Sequence, residues 1–286
     1  MTKQPGWVRS LAFQVGLIAG AILLYFGVRG LTEGDETEAI ASGRHLLRLE
    51  ARLGLDVEAS LQHKLLDHDW VVTLANWIYI WGHWPVIIAS LVWLFARHRK
   101  DYVLLRNAMF ISGAIGLVIF VTYPVAPPRL LPGFVDTVTE RSHSYRVLQP
   151  PGLVNKYAAL PSLHFGWNLL VGMVIYRVAH SRLAQMYAIV GPILMASAVV
   201  ITANHYVVDA IAGGLIAAIG LVLALRLEKA TGPFPKTIGS ESQTEPQVQH
   251  HERRSTIDLR LRLKTGPTAD PTAEPSPDRC DRSRAS

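Results

Sequence analysis

His205 and Asp209 stand four residues apart within Thr202–Gly214, TANHYVVDAIAGG. On a helix that spacing puts both side chains on one face, one turn apart. A carboxylate there can accept a hydrogen bond from one imidazole nitrogen and fix the tautomer. The other nitrogen is then free to act as a nucleophile. A competing reading has Asp209 only complementing the amino end of its helix. His164 lies in Leu160–Trp167, LPSLHFGW, behind Pro161 and the expected N-cap Ser162. Exposed amides at such a helix start suit a phosphate. A histidine beside that phosphate could protonate a leaving oxygen, although a lone histidine in a bundle would read as a satisfied core residue. Arg129, in Tyr123–Leu131, YPVAPPRLL, follows two prolines that stiffen its approach. Its guanidinium matches phosphate oxygens through two parallel hydrogen bonds, or it could hold a lipid headgroup at the interface. Ser162, Asn204 and Tyr206 flank the two histidines as further substrate contacts. Tyr79 and His83, in IYIWGHWP, could line the same cavity, but their depth in an apolar block favours a core role.

The elements that carry these residues are apolar. Half of the 286 residues are hydrophobic and 17% are charged. The apolar residues gather in six blocks: Leu11–Val28, Trp70–Ala96, Asn107–Ala126, Ala158–Tyr176, Leu183–Ala203 and Tyr206–Leu225. None contains Lys, Arg or Glu, and only the last contains an Asp. Each is near the length of about 20 residues that a helix needs to cross hydrocarbon. Backbone groups in lipid must be satisfied within a helix. The expected fold is therefore all-α: a polytopic membrane protein with six transmembrane helices in a bundle and a disordered C-terminal tail. Leu11–Val28 is long and lacks a small-residue cleavage site, so it reads as a retained span rather than a signal peptide.

The chain divides at sequence level into three parts. Residues 1–69 hold the first span and a polar segment, Leu31–Asp69, whose interleaved leucines and arginines suggest a helix lying along the membrane surface. Residues 70–229 form the helical core. Residues 230–286, rich in Pro, Ser, Thr and mixed charge, read as a disordered cytoplasmic tail. The short basic turns Arg97–Asp101 and Arg177–Arg182 mark the cytoplasmic side, with both termini inside. The net charge of +6 then reflects topology, and no nucleic-acid motif accompanies it. With Cys280 as the only cysteine, an internal disulfide and a cysteine-based metal site are excluded.

Alternation of spans brings the three polar clusters to one membrane face, whichever way the chain is inserted. Together they resemble the type-2 phosphatidic acid phosphatase superfamily over roughly residues 70–227. Pro161-Ser162-Leu163-His164 is similar to its Pro-Ser-Gly-His motif, with Leu for Gly. His205 and Asp209 resemble its last motif, and PVAPPR through Arg129 most resembles the branch related to inositol phosphorylceramide synthases. The resemblance implies a phosphohistidine enzyme acting on a lipid phosphate at the extracytoplasmic face, without metal or other cofactor. His205 would be the nucleophile, Asp209 its orienter, His164 the acid and Arg129 a phosphate ligand. Two cations usual in that superfamily are replaced here by Thr122 and Val199, so the resemblance implies a phosphate held differently, by Arg129, with Arg141, Arg146 or Lys156 as candidates to fold in. Two other classes remain open on these residues. One is a membrane haem protein using His83, His164 and His205 as axial ligands. The other is a transporter or scaffold that binds a polyanion in the same cleft.

Overall fold

The computed structural model describes residues 5–31, 35–141 and 156–231. Arg146 and the tail from residue 232 onward lie outside the described residues. Within them the chain is helical, with no named strand and one isolated bridge, between Val125 and Ala158. The helices are α1 (Pro5–Leu31), α2 (Glu36–Leu53), α3 (Glu58–Leu66), α4 (Asp69–Trp81), α5 (Trp84–Arg97), α6 (Arg99–Thr122), α7 (Thr137–Arg141), α8 (Leu163–Val178), α9 (Arg182–Ile201) and α10 (Val207–Thr231). A short 3-10 turn, Pro128–Leu130, carries Arg129.

Three helices are long and apolar enough to cross a membrane: Arg99–Thr122, Arg182–Ile201 and Val207–Ala230. The second apolar block is not one straight helix. It breaks at Gly82–His83 into α4 and α5, which meet at a bend of 42° and together make a fourth candidate span. Pro85, at the start of α5, cannot supply an amide to a continuous helix. The third block begins earlier than its composition suggests. Only His98 separates α5 from α6, so most of the basic run Arg97–Asp101 is helical rather than loop. Large apolar side chains stay exposed along α9 (Leu183, Met186, Ile189, Ile193) and α10 (Ile211, Leu215, Ile219, Val222). Helices that remain apolar on their outer face suit a lipid surround.

α8 is the central helix, packed against α5, α6, α9 and α10. Its approach to α10 is close enough that a Cβ on Gly213 would overlap the carbonyl of Ser162. Gly166 faces the same contact, where an added Cβ would lie 2.5 Å from the Gly213 carbonyl oxygen. Side chains at either position would force the two helices apart.

The polar segment before the second block forms α2 and α3, joined through Gly54, whose φ of 68° closes α2 in a left-handed cap. The buried face of α2 is not its leucine-rich one. It comprises Ala39, Ser42, Gly43, Leu46 and Glu50, while Leu49 and Leu53 are exposed. Gln62 of α3 is bonded to both backbone groups of Val135, through Val135 N at 3.0 Å and Val135 O at 2.9 Å. Ala39 O accepts Ala126 N at 3.0 Å. At the other end of the bundle the two basic turns meet through Arg177 and Asp101, 3.4 Å apart.

Candidate active site

The three polar clusters join at one end of the bundle. Arg129 N donates to Ala203 O at 2.8 Å, Ser162 N to Asp209 O at 2.9 Å, and the Tyr206 hydroxyl to Ala126 O at 2.8 Å. α9 ends at Ile201, and Ala203 takes a left-handed φ of 52°. That turn aims both Asn204 N and His205 N at Val199 O, each at 3.1 Å, before α10 begins.

His205 is almost fully buried. Its Nδ1 lies 2.8 Å from the Ala159 carbonyl and 3.4 Å from Asp209 Oδ2. A carbonyl oxygen can only accept, so Nδ1 carries the proton and Nε2 keeps its lone pair. Sequence spacing assigns the tautomer to Asp209 alone. In the structure a backbone carbonyl holds the ring and the carboxylate stands beside it. Asp209 Oδ2 also accepts Tyr206 N at 2.9 Å, so the carboxylate caps its helix and stands beside the imidazole.

His164 sits in the first turn of α8. Ser162 is the N-cap, its hydroxyl accepting Phe165 N at 3.4 Å. The imidazole is gripped by rings rather than hydrogen bonds. Tyr79 stacks on it at 4.5 Å between centroids and His83 at 4.1 Å, and the His205 ring lies 5.8 Å away. Its Nε2 is buried with no hydrogen-bond partner among the described residues. The bend at Gly82–His83 carries His83 against His164, so His83 belongs to the site despite its mid-block position. Asn168 Nδ2 donates to His164 O at 2.9 Å and also meets His83 Nδ1 at 3.2 Å. The first contact fixes Nδ2 as the donor end, so His83 Nδ1 accepts and its proton is on Nε2.

Arg129 is nearly buried. Its Nε donates to Asn204 Oδ1 at 2.8 Å, and its Nη1 lies 3.4 Å from Asp136 Oδ2. Asn204 is itself held by Thr202, through Nδ2 to Oγ1 at 3.0 Å. Asp136 is a single polar residue with no spacing signal, whereas Asn168 follows His164 by four residues, one helical turn on the same face. Among the described residues, the other two candidate cations, Arg141 and Lys156, do not gather here. Arg141 pairs with Asp69 at 3.0 Å on the surface, and Lys156 is exposed. The Tyr206 hydroxyl, on Ala126, and the Ser162 hydroxyl, on the α8 cap, both serve the scaffold. Axial haem ligation also fits poorly, since His83 and His164 lie face to face at 4.1 Å rather than across a macrocycle.

What the arrangement can do is attack an electrophile with one imidazole and exchange a proton with a second, beside a guanidinium. No curated protein and no solved structure matches the chain. A family model described as the PAP2 superfamily matches residues 44–223, taking in half of α2, all of α3 and every residue of the site. The chain belongs to the PAP2 superfamily, the type-2 phosphatidic acid phosphatases, and is a phosphatase-type protein of apolar helices.

Proposed function

We propose that this protein is a multi-pass membrane lipid phosphatase or phosphotransferase that works through a phosphohistidine. The observation that carries the reading is the His205 ring, held at Nδ1 by Ala159 O so that Nε2 presents a lone pair. In the first step Nε2 attacks phosphorus and the bond to the leaving oxygen breaks. His164 hands that oxygen a proton, and Asp209 balances the charge that develops on His205. Arg129, steered by Asn204, neutralises the phosphoryl oxygens. In the second step water or an acceptor hydroxyl attacks phosphorus, the bond from phosphorus to His205 Nε2 breaks with its electron pair returning to the ring, and His164 takes up the proton. Ser162, Asn204 and Tyr206 shape the pocket. The PVAPPR run favours a phosphotransferase related to inositol phosphorylceramide synthases, with inositol phosphate moved to a lipid acceptor.

In this reading α1 and α8 complete a set of six spans with the bent pair α4–α5, α6, α9 and α10. Residues 1–69 support a core of 70–229. The joined basic turns face the cytoplasm with both termini, and the histidines face the extracytoplasmic side. Purified protein is to be incubated with labelled phosphatidic acid and phosphoinositides, with and without hydroxyl acceptors, both inositol and a lipid alcohol. His205→Ala and His164→Ala each abolish phosphate release or transfer. Undiminished turnover in either variant removes that residue from the mechanism. Tight binding of lipid phosphates without turnover by the wild type would favour a polyanion-binding protein instead.

A further inference from the structure

The start of α10 carries more than the proposed chemistry uses. Three consecutive amides are each taken by a different carboxylate. Tyr206 N donates to Asp209 Oδ2 at 2.9 Å, Val207 N to Glu58 Oε1 at 2.9 Å, and Val208 N to Glu50 Oε1 at 2.8 Å. All three acids are buried, with exposures of 0%, 1% and 0% for Asp209, Glu58 and Glu50. A helix start needs its first amides satisfied, but a neutral side chain is enough. The chain itself uses Ser162 for α8 and Ser181 for α9. Burying two further acids at one helix start carries a desolvation cost that capping alone does not require.

Both extra acids come from the segment before the second apolar block, Glu50 from α2 and Glu58 from α3. They grip the two residues that follow the loop Asn204–Tyr206. We propose that Glu50 and Glu58 are positioning residues for the His205 nucleophile, clamping the first turn of α10 so that the imidazole stays on Ala159 O beside Asp209. The proposal rests on the reading of His205 as nucleophile. The clamp has a second consequence. A helix start with open amides attracts anions; here carboxyl groups occupy those amides, so the phosphoryl group is turned away from α10 and toward Arg129.

The clamp is also sensitive to pH. Burial above all, with the neighbouring Glu58 and Asp209 carboxyls, pushes Glu50 up to about 8, against the pull of the Val208 amide. The groups facing Glu50 are Glu58 from α3, Asp209 from α10 and the Tyr206 phenol, with His205 beyond Asp209. Glu50 Oε2 is buried with no hydrogen-bond partner among the described residues, so a full charge there lacks compensation. Glu50 is therefore largely protonated at neutral pH. As pH rises through about 8, a new negative charge appears beside Glu58 and Asp209 and the clamp loosens.

The test uses full-length protein in detergent micelles with dioleoyl phosphatidic acid as probe, measuring kcat and KM across pH. Glu50→Leu lowers kcat by about tenfold or more while KM moves by less than about threefold, as expected when a catalytic group is displaced and substrate binding is left intact. Glu50→Gln keeps an oxygen for Val208 N and recovers most of that kcat, and its alkaline fall is expected at higher pH than that of the wild type. A Glu50→Leu protein with wild-type kcat overturns the proposal, as does a Glu50→Gln protein that recovers none of the lost kcat. Should Glu50→Leu fail to fold, Glu58→Leu is measured in its place, with the same loss of kcat expected and wild-type kcat overturning the proposal. Hydrogen exchange in the peptide around residues 204–212 reads the clamp without turnover: faster exchange in Glu50→Leu supports it and unchanged exchange overturns it. His205→Ala separates the two ideas. If that variant is inactive and Glu50→Leu is unaffected, only the clamp fails; if it stays active, the nucleophile and its positioning fall together.

Discussion

The two histidines are held by different kinds of force. His205 stands in a lattice of directed hydrogen bonds: Ala159 O on its ring, Val199 O on its amide, and three carboxylates on the amides that follow. His164 stands in a stack, with Tyr79 and His83 against its ring and its Nε2 unpartnered among the described residues. Hydrogen bonds fix direction, which a nucleophile needs for in-line attack. Stacking fixes a plane but leaves a nitrogen open, which suits a group that must first give a proton and later take one back. The proposed division of labour thus matches how each ring is built in.

The contact joining the two regions is the sharpest place to break this contrast. A side chain at Gly213 meets the Ser162 carbonyl, which is backbone and cannot swing aside. Gly213→Val is expected to cost about 3 kcal/mol, near the upper range for overpacking. It shows as a fall in the melting temperature of the detergent-solubilised protein together with loss of turnover. An unchanged melting temperature would mean that α8 and α10 do not need this approach. A smaller effect separates stacking from hydrogen bonding on the His164 side. His83→Phe keeps a ring against His164 but leaves one Asn168 hydrogen without its acceptor, a loss of about 1–3 kcal/mol for a buried donor. His83→Ala loses the ring as well. Stacking as the main support predicts that His83→Phe keeps much more kcat than His83→Ala, whereas equal losses would point to Asn168 as the part that matters.

Much of this architecture is legible in the amino-acid order alone. Uncharged apolar runs give the helices, and alternation of spans brings PVAPPR, LPSLH and NHYVVD to one end. The Ser162 cap follows from its place before an apolar helix. The features that the amino-acid order hides have a common cause: their partners are distant along the chain. Glu50 and Glu58 read as solvated charges on a surface helix because the amides they grip lie 158 and 149 residues away. The leucines of that segment divide: Leu46 docks among small and polar residues, while Leu49 and Leu53 stay out. His83 reads as core by depth, and only the bend at Gly82–His83 brings it against His164. Asp136 is different: it stands only seven residues from Arg129, and its position depends on how the loop after Leu131 folds back.

The central claim is that His205 Nε2 becomes bonded to phosphorus. The direct measurement is rapid quenching of the protein during turnover of phosphate-labelled phosphatidic acid, followed by peptide mapping of the label. The account predicts an acid-labile, base-stable phosphoramidate on the peptide containing His205, absent from His205→Asn. Label on a different residue, or turnover by His205→Asn at the wild-type rate, would contradict it.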